Sequence, residues 1–327
     1  MQKWLTELAV DPLIVLEACE NEAIRYFLRR DLLGEEVGSV ESLWALPEPA
    51  RIVAKQREDG SWKYPGGKRE IRSQRNYDQL QTYKVLMDLV GKYELSRQHP
   101  AIPRAAEFLL SFQTDEGDLR GLYRDQYTPN YTAAIAELLI KSGYGDDPRI
   151  HKVFEWLLSM CQDDGGWALP MRTGVPKGTS TVKESFWEEQ PIQPDRSRPF
   201  SQWMTGIVLR AFAAQQEYRR ASQARAAGEL LKSRFFQRDP YPDRQAASFW
   251  EKIRYPFWWT DILSALDSLW WLGFSAHDRD IQKGLEWLIA NQEESGLWRA
   301  RYLSGSDKHI HHWTTLHVCR VLARYLD

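Results

Sequence analysis

The side chains able to do chemistry are few and spread along the chain. Lys63, Lys68, Arg69, Arg72 and Arg75 form its densest basic cluster. Ammonium and guanidinium groups gathered in this way can hold a phosphate or diphosphate, and they would equally make a solvated loop partly balanced by Glu58, Asp59 and Glu70. His309, His311, His312, His317 and Cys319 gather near the end of the chain, where imidazole and thiol groups raise the question of a metal. His317 and Cys319 stand two apart in a helical pattern and point different ways, so no metal and no other cofactor is expected. Acids inside apolar helical stretches are Asp88, Glu137, Asp261 and Asp267, with Arg210 as a candidate partner. Asp261 follows Thr260 and adjoins Trp258 and Trp259, and it is the expected general acid, weighed against the helix stabilisation that acids supply in a first turn.

The elements that must position these groups are read from one repeated unit. In Lys283 to Trp298 a helical spacing of Leu285, Trp287, Leu288 and Ile289 ends at Gln292, with Gly296 and Trp298 following. Glycine lets the chain leave the helix in the left-handed region, the glutamine amide can satisfy orphan helix-end groups, and the indole covers them. The unit therefore reads as a clamp at a helix end.

The same clamp recurs as Gln56, Gly60 and Trp62; as Gln113 and Gly117 with Leu119 for the tryptophan; and as Gly165 and Trp167 with Cys161 at the anchor position and Gln162 one place later. A decayed copy ends near Phe235 to Gln237. A second helix follows each clamp and carries a threonine near its start: Thr82, Thr132, Thr205, Thr260 and Thr314. From threonine to the next anchor the spacing holds at 31 (Thr82 to Gln113), 29 (Thr132 to Cys161) and 32 (Thr260 to Gln292). From anchor to threonine it varies, so insertions are confined to the loop after the clamp, where a repeat array usually carries its function. The longest, 168–199, is rich in Pro, Ser, Thr, Gly and charge yet contains Phe186 and Trp187, and is expected to be a lid.

The chain has 327 residues, 43% hydrophobic and 27% charged, enough for a large buried core, with three cysteines and a net charge of -2 that argues against a nucleic-acid partner. No apolar run approaches a membrane span, and acids interrupt the apolar N-terminal stretch, so a cytoplasmic protein without disulfides is expected, with room for peripheral membrane contact. Residues 1–327 are expected to form one all-α domain, with 1–38 as a helical segment packed on it. Helical hairpins in a row can stack as an open solenoid or close into a ring, and spacing alone leaves both open.

The clamp resembles the Gln-and-Trp repeat of the terpenoid cyclase and protein prenyltransferase superfamily; Lys283, Gly284, Trp287, Leu288, Gln292, Gly296 and Trp298 match its pattern. The resemblance implies an α/α toroid, in which inner helices ring a cavity and outer helices surround them. It implies a hydrophobic, isoprenoid-type substrate, bound here by Tyr77, Tyr131, Trp203, Trp258, Trp259, Trp313 and His312 at the inner-helix starts, with Lys68, Arg69, Arg72 and Arg75 on a phosphate. The family's catalytic signatures are missing. Of its Asp-x-Asp-Asp acid only Asp78 remains, before Thr82, so Asp261 or Asp78 is left to supply a proton. Two other classes stay open: a non-catalytic toroid binding an apolar ligand or a protein, and a polysaccharide lyase or hydrolase with aromatics against sugar faces.

Overall fold

A computed structural model describes residues 2–66, 72–175, 188–300 and 307–327. Helices dominate it, and its one named strand is the four-residue segment Leu122–Asp125. In chain order the α-helices are α1 (Lys3–Thr6), α2 (Pro12–Glu17), α3 (Glu22–Leu28), α4 (Pro47–Val53), α5 (Gln74–Tyr93), α6 (Ala101–Leu110), α7 (Pro129–Leu139), α8 (Pro148–Ser159), α9 (Pro170–Thr173), α10 (Gln202–Ala214), α11 (Ser222–Ser233), α12 (Ile262–Trp271), α13 (Arg279–Ala290) and α14 (Ile310–Leu326). Starts follow from capping: Asp11, Asn21, Ser73, Asp147, Ser201, Asp261 and Asp278 each accept a backbone N–H one to three residues inside their helix.

The helices form an α/α toroid. Inner helices α5, α7, α10, α12 and α14 pack in succession, and α4, α6, α8, α11 and α13 lie outside them. The N-terminal segment packs on the ring where its two ends meet. Helices α2 and α3 pack against α14, and Phe27, Arg30 and Asp31 reach Trp313, Glu94 and Arg320 across the seam between α14 and α5. Among the described residues α2 and α3 thus add a sixth hairpin, packed on α14, to the five outer-inner pairs legible from the repeat. The seam is also tied by Lys92, whose ammonium lies 2.7 Å from Asp307, and by the rings of Tyr93 and Trp313, 6.0 Å apart.

A complete clamp, as at Trp62 and Trp298, makes three connections. Its glutamine amide donates to its own glycine carbonyl and to a carbonyl at the start of the next outer element: Gln56 to Gly60 and Ala101 (2.9 and 2.8 Å), Gln113 to Gly117 and Arg149 (3.0 and 2.7 Å), Gln292 to Gly296 and Val10 (3.3 and 2.8 Å). The last of these closes the circle onto α2. The indole N–H donates back into its own outer helix, from Trp62 to Ile52, Trp167 to Leu157 and Trp298 to Leu288, at 2.7 to 2.8 Å. The backbone N–H at the same position donates to a threonine hydroxyl of the inner helix: Trp62 to Thr82, Leu119 to Thr132, Trp167 to Thr205 and Trp298 to Thr315, at 2.8 to 3.2 Å.

Two expected threonines are corrected. Thr315 takes the place assigned to Thr314, and Thr260 instead donates to Trp203 O at 2.6 Å, since the decayed copy has no clamp tryptophan for it to meet. In the third copy Gln162, beside the Cys161 anchor, donates to Asp195 O and Arg198 O at 2.9 and 3.0 Å and so holds the insertion rather than the next outer helix. The clamp glycines are fixed twice over. Gly60 and Gly117 have φ of +84° and +106°, and a Cβ on either would stand 2.2 Å from Arg104 O or 2.5 Å from Lys152 O.

Trp298→Ala should cost about 3–5 kcal/mol, since it removes a buried indole and leaves Leu288 O without its donor. Leu119→Ala, with no side-chain hydrogen bond to lose, should fall at about 2–3 kcal/mol. Urea unfolding of both variants checks the order, and an equal or reversed cost contradicts the clamp as described.

Candidate functional site

A cavity of about 430 Å³ lies inside the ring, bounded by the middle and C-terminal parts of α5, α7, α10, α12 and α14. Its apolar wall includes Met87, Val90, Leu138, Phe257 and Trp271, and its polar groups include Glu94, Glu137, Lys141, Arg210, Arg219, Asp267, His317, Arg320 and Arg324. It lies away from the inner-helix starts, where the aromatic cavity was expected. Residues Tyr255 and Phe257, in the loop before α12, fold into the ring and line this cavity: Tyr255 donates to Gly91 O, and both rings pack on His317 at 5.0 and 4.8 Å between centroids.

The buried charges are arranged as two groups. Arg210 Nε donates to Glu137 at 2.9 Å, and Lys141 lies 2.6 Å from the same carboxylate. Burial raises the Glu137 pKa, but Arg210 and Lys141 outweigh it and hold the carboxyl below the ordinary range. Asp267 likewise stays ionised against burial, with Arg324 at 2.6 Å and the His317 ring at 3.3 Å. Burial pushes the His317 imidazole down, towards its neutral form, and Asp267 only partly offsets this. Arg219 differs from the others: its Nε donates to Ala213 O at 2.6 Å, its guanidinium covers Trp271 at 4.4 Å, and no carboxylate pairs with it among the described residues.

Most residues singled out in the sequence lie elsewhere. Asp261 is a buried N-cap, accepting from Ser264 N at 2.8 Å and Arg254 N at 2.9 Å, and it lines neither this cavity nor the smaller one. Asp78 accepts from Tyr64 N, Gln74 and Arg57 at 2.9, 2.6 and 2.8 Å, which makes it the acceptor that fixes the chain two residues after Trp62. Tyr131, Trp203 and Trp258 do come together, with Tyr83, Tyr123, Asn130 and Arg244, around an opening of only about 90 Å³ at the other end of the ring. Tyr77 stacks on Tyr64, Trp259 is covered by Arg254, and Trp313 is buried in the seam.

Of the basic cluster, Lys63, Arg72 and Arg75 lie within the described residues. Arg72 donates to Leu122 O and covers Tyr123, while Arg75 donates to Ser111 at 2.8 Å and covers Phe112. Lys68, Arg69, Phe186 and Trp187 lie outside the described residues. Of the insertion, residues 188–199 are held by Gln126, which accepts from Ile192 N at 2.9 Å and donates to Gln190 O at 3.1 Å. His312 sits by His309 rather than in a cavity. Glu137, Asp267 and Arg210 were legible as acids and a cation inside apolar helices; Arg219 and Trp271, at helix ends, carried no such signal.

No protein-family model matches the sequence, and no curated protein matches it. Similar solved structures include the polysaccharide lyase BACCELL_00875 (14% identity, 92% of this chain and 86% of that one, TM-score 0.49). A glycoside hydrolase family 76 mannosidase, Bt3792 of Bacteroides thetaiotaomicron, has 11% identity over 91% of this chain and 84% of its own, with TM-score 0.49. The type II terpene cyclase MstE of Scytonema has 16% identity over 96% and 98%, with TM-score 0.41. At these values the likenesses carry no argument about what the present chain binds.

Burial raises the Asp261 pKa to about 6, against backbone hydrogen bonds that lower it. A carboxyl raised in the fold binds its proton more tightly there than in the unfolded chain, so stability from this group is present below the unfolded value near 4 and is lost as pH rises through about 6. Asp261→Asn keeps a capping side chain and removes the titration. The stability difference, wild type minus variant, should fall by about 2–3 kcal/mol between pH 4 and pH 7. A difference that stays flat across that range contradicts this reading of Asp261.

Proposed function

We propose that the toroid binds a small organic anion with an apolar body in the cavity of about 430 Å³. The observation that carries this reading is Arg219, a cation on the cavity wall with no carboxylate partner among the described residues. Around it the wall holds five basic side chains, Lys141, Arg210, Arg219, Arg320 and Arg324, against the three acids Glu94, Glu137 and Asp267. Part of that excess offsets the partial negative charge of inner-helix C-termini, and Arg219 is what is left for a ligand. Met87, Val90, Leu138 and Phe257 supply a wall for an apolar body, and the volume falls in the range of about 300–1,000 Å³ usual for small-molecule sites. A short isoprenoid phosphate combines both halves, which keeps the isoprenoid reading while moving its site to the opposite end of the ring. Proton abstraction from such a ligand would fall to His317, which burial holds towards its neutral, proton-accepting form beside Asp267.

A second reading rests on Trp271. It is 39% exposed, with Arg219 and Arg324 over its ring at 4.4 and 5.3 Å, a flat face beside two guanidinium groups that suits an acidic sugar. Calorimetric titration with geranyl diphosphate, geraniol and a galacturonate disaccharide separates the two. Geranyl diphosphate should bind at least about tenfold more tightly than geraniol, and Arg219→Ala should weaken it by about tenfold or more, as loss of a charged hydrogen bond does. Preference for the disaccharide assigns the site to acidic sugars. Equal binding of alcohol and diphosphate, or no effect of Arg219→Ala, contradicts the anion site.

A further inference from the structure

Folding brings Cys19, between α2 and α3, against the residues that start α14. Its Sγ lies 3.5 Å from His309 Nδ1, and one donor atom each from Cys19, His309 and His312 falls within 4.8 Å of the other two. The His309 and His312 rings are 5.9 Å apart at 71°, edge towards face rather than stacked. A thiol-to-imidazole hydrogen bond explains the first pair alone. It leaves His312, whose Nδ1 is buried without a hydrogen-bond partner, turned into the cluster for no reason.

A tetrahedral zinc ion explains all three donors. With Zn–S near 2.3 Å and Zn–N near 2.0–2.1 Å, its sulfur and nitrogen ligands stand about 3.6 Å apart and its two nitrogens about 3.4 Å apart. The Cys19–His309 separation already has that value. We infer that Cys19, His309 and His312 form a site for a divalent transition metal, zinc above all, joining the N-terminal hairpin to the last inner helix. Cys19 would bind as thiolate, releasing its proton to solvent, with both imidazoles neutral. Burial pushes the Cys19 thiol up, and the nearby Arg25 and Lys308 only partly offset this, so forming the thiolate would fall to the metal. No fourth His, Cys, Asp or Glu joins the cluster among the described residues, which leaves the fourth position to water. Cys319, the cysteine closest in sequence to the histidines, is not among the three. The metal would act as a staple, because α2 and α3 already pack against α14 at this closure of the ring.

The full-length protein, reduced and stripped with chelator, is titrated with Co²⁺ and then Zn²⁺. One equivalent of Co²⁺ should give the thiolate-to-cobalt charge-transfer band, Zn²⁺ should displace it, and saturating Zn²⁺ should raise the melting temperature. Cys19→Ser should abolish the band, and His312→Ala, at a half-buried position, should weaken Zn²⁺ binding at least about tenfold. Absence of the band in the wild type, or Zn²⁺ affinity unchanged in His312→Ala, overturns the site.

Discussion

The hydrogen bond from a clamp residue's backbone N–H to a threonine hydroxyl of the inner helix is the contact on which this ring depends. It is made four times, by Trp62, Leu119, Trp167 and Trp298, and in each case both partners are buried. An N–H at this place has left its helix and would otherwise be an orphan in apolar surroundings, which costs more than the bond returns on average. The threonine therefore sets the height at which each inner helix meets its neighbouring outer one. The indole and glutamine bonds then fix the same turn to its own outer helix and to the next. Leu119 shows which parts are separable: it keeps the backbone bond to Thr132 while lacking the indole.

That constraint also decides where a ligand can go. The clamps and the 188–199 segment lie at the inner-helix starts, and there the described aromatic side chains are largely consumed by packing, with an opening of only about 90 Å³ left. Tyr255 and Phe257 close the middle of the ring. Space remains towards the helix C-termini, where loops are short and side chains of the helices themselves form the wall. Charge follows space: Glu137, Arg210 and Asp267 sit on inner helices that are otherwise apolar, and their burial is tolerated because each has a partner of opposite sign.

The clamps and most helix boundaries were legible because they rest on local chemistry, glycine at positive φ, caps and apolar periodicity, whereas the ring of inner and outer layers was implied by the family resemblance and not by spacing. The sixth hairpin was not legible, because α2 and α3 carry no clamp of their own and are recruited by Gln292 from the far end of the chain. The same long-range closure hid the approach of Cys19 to His309. For the candidate site, sequence identified the buried charges Glu137, Arg210 and Asp267 but gave Asp261 a catalytic part, since an N-cap carboxylate and a general acid look alike without knowing what the side chain faces. Counting aromatics at helix starts located Tyr131, Trp203 and Trp258, which surround the smaller of the two openings.

Native-state hydrogen exchange at the amides of Trp62, Leu119, Trp167 and Trp298 tests the central claim most directly. All four lie in loops, where exchange is ordinarily fast and governed by local opening. If the bonds to Thr82, Thr132, Thr205 and Thr315 hold the layers in register, these amides exchange only with global unfolding, as slowly as the cores of α7 and α10. Exchange by local opening, with the inner helices still protected, would show that the ring stands without its clamps.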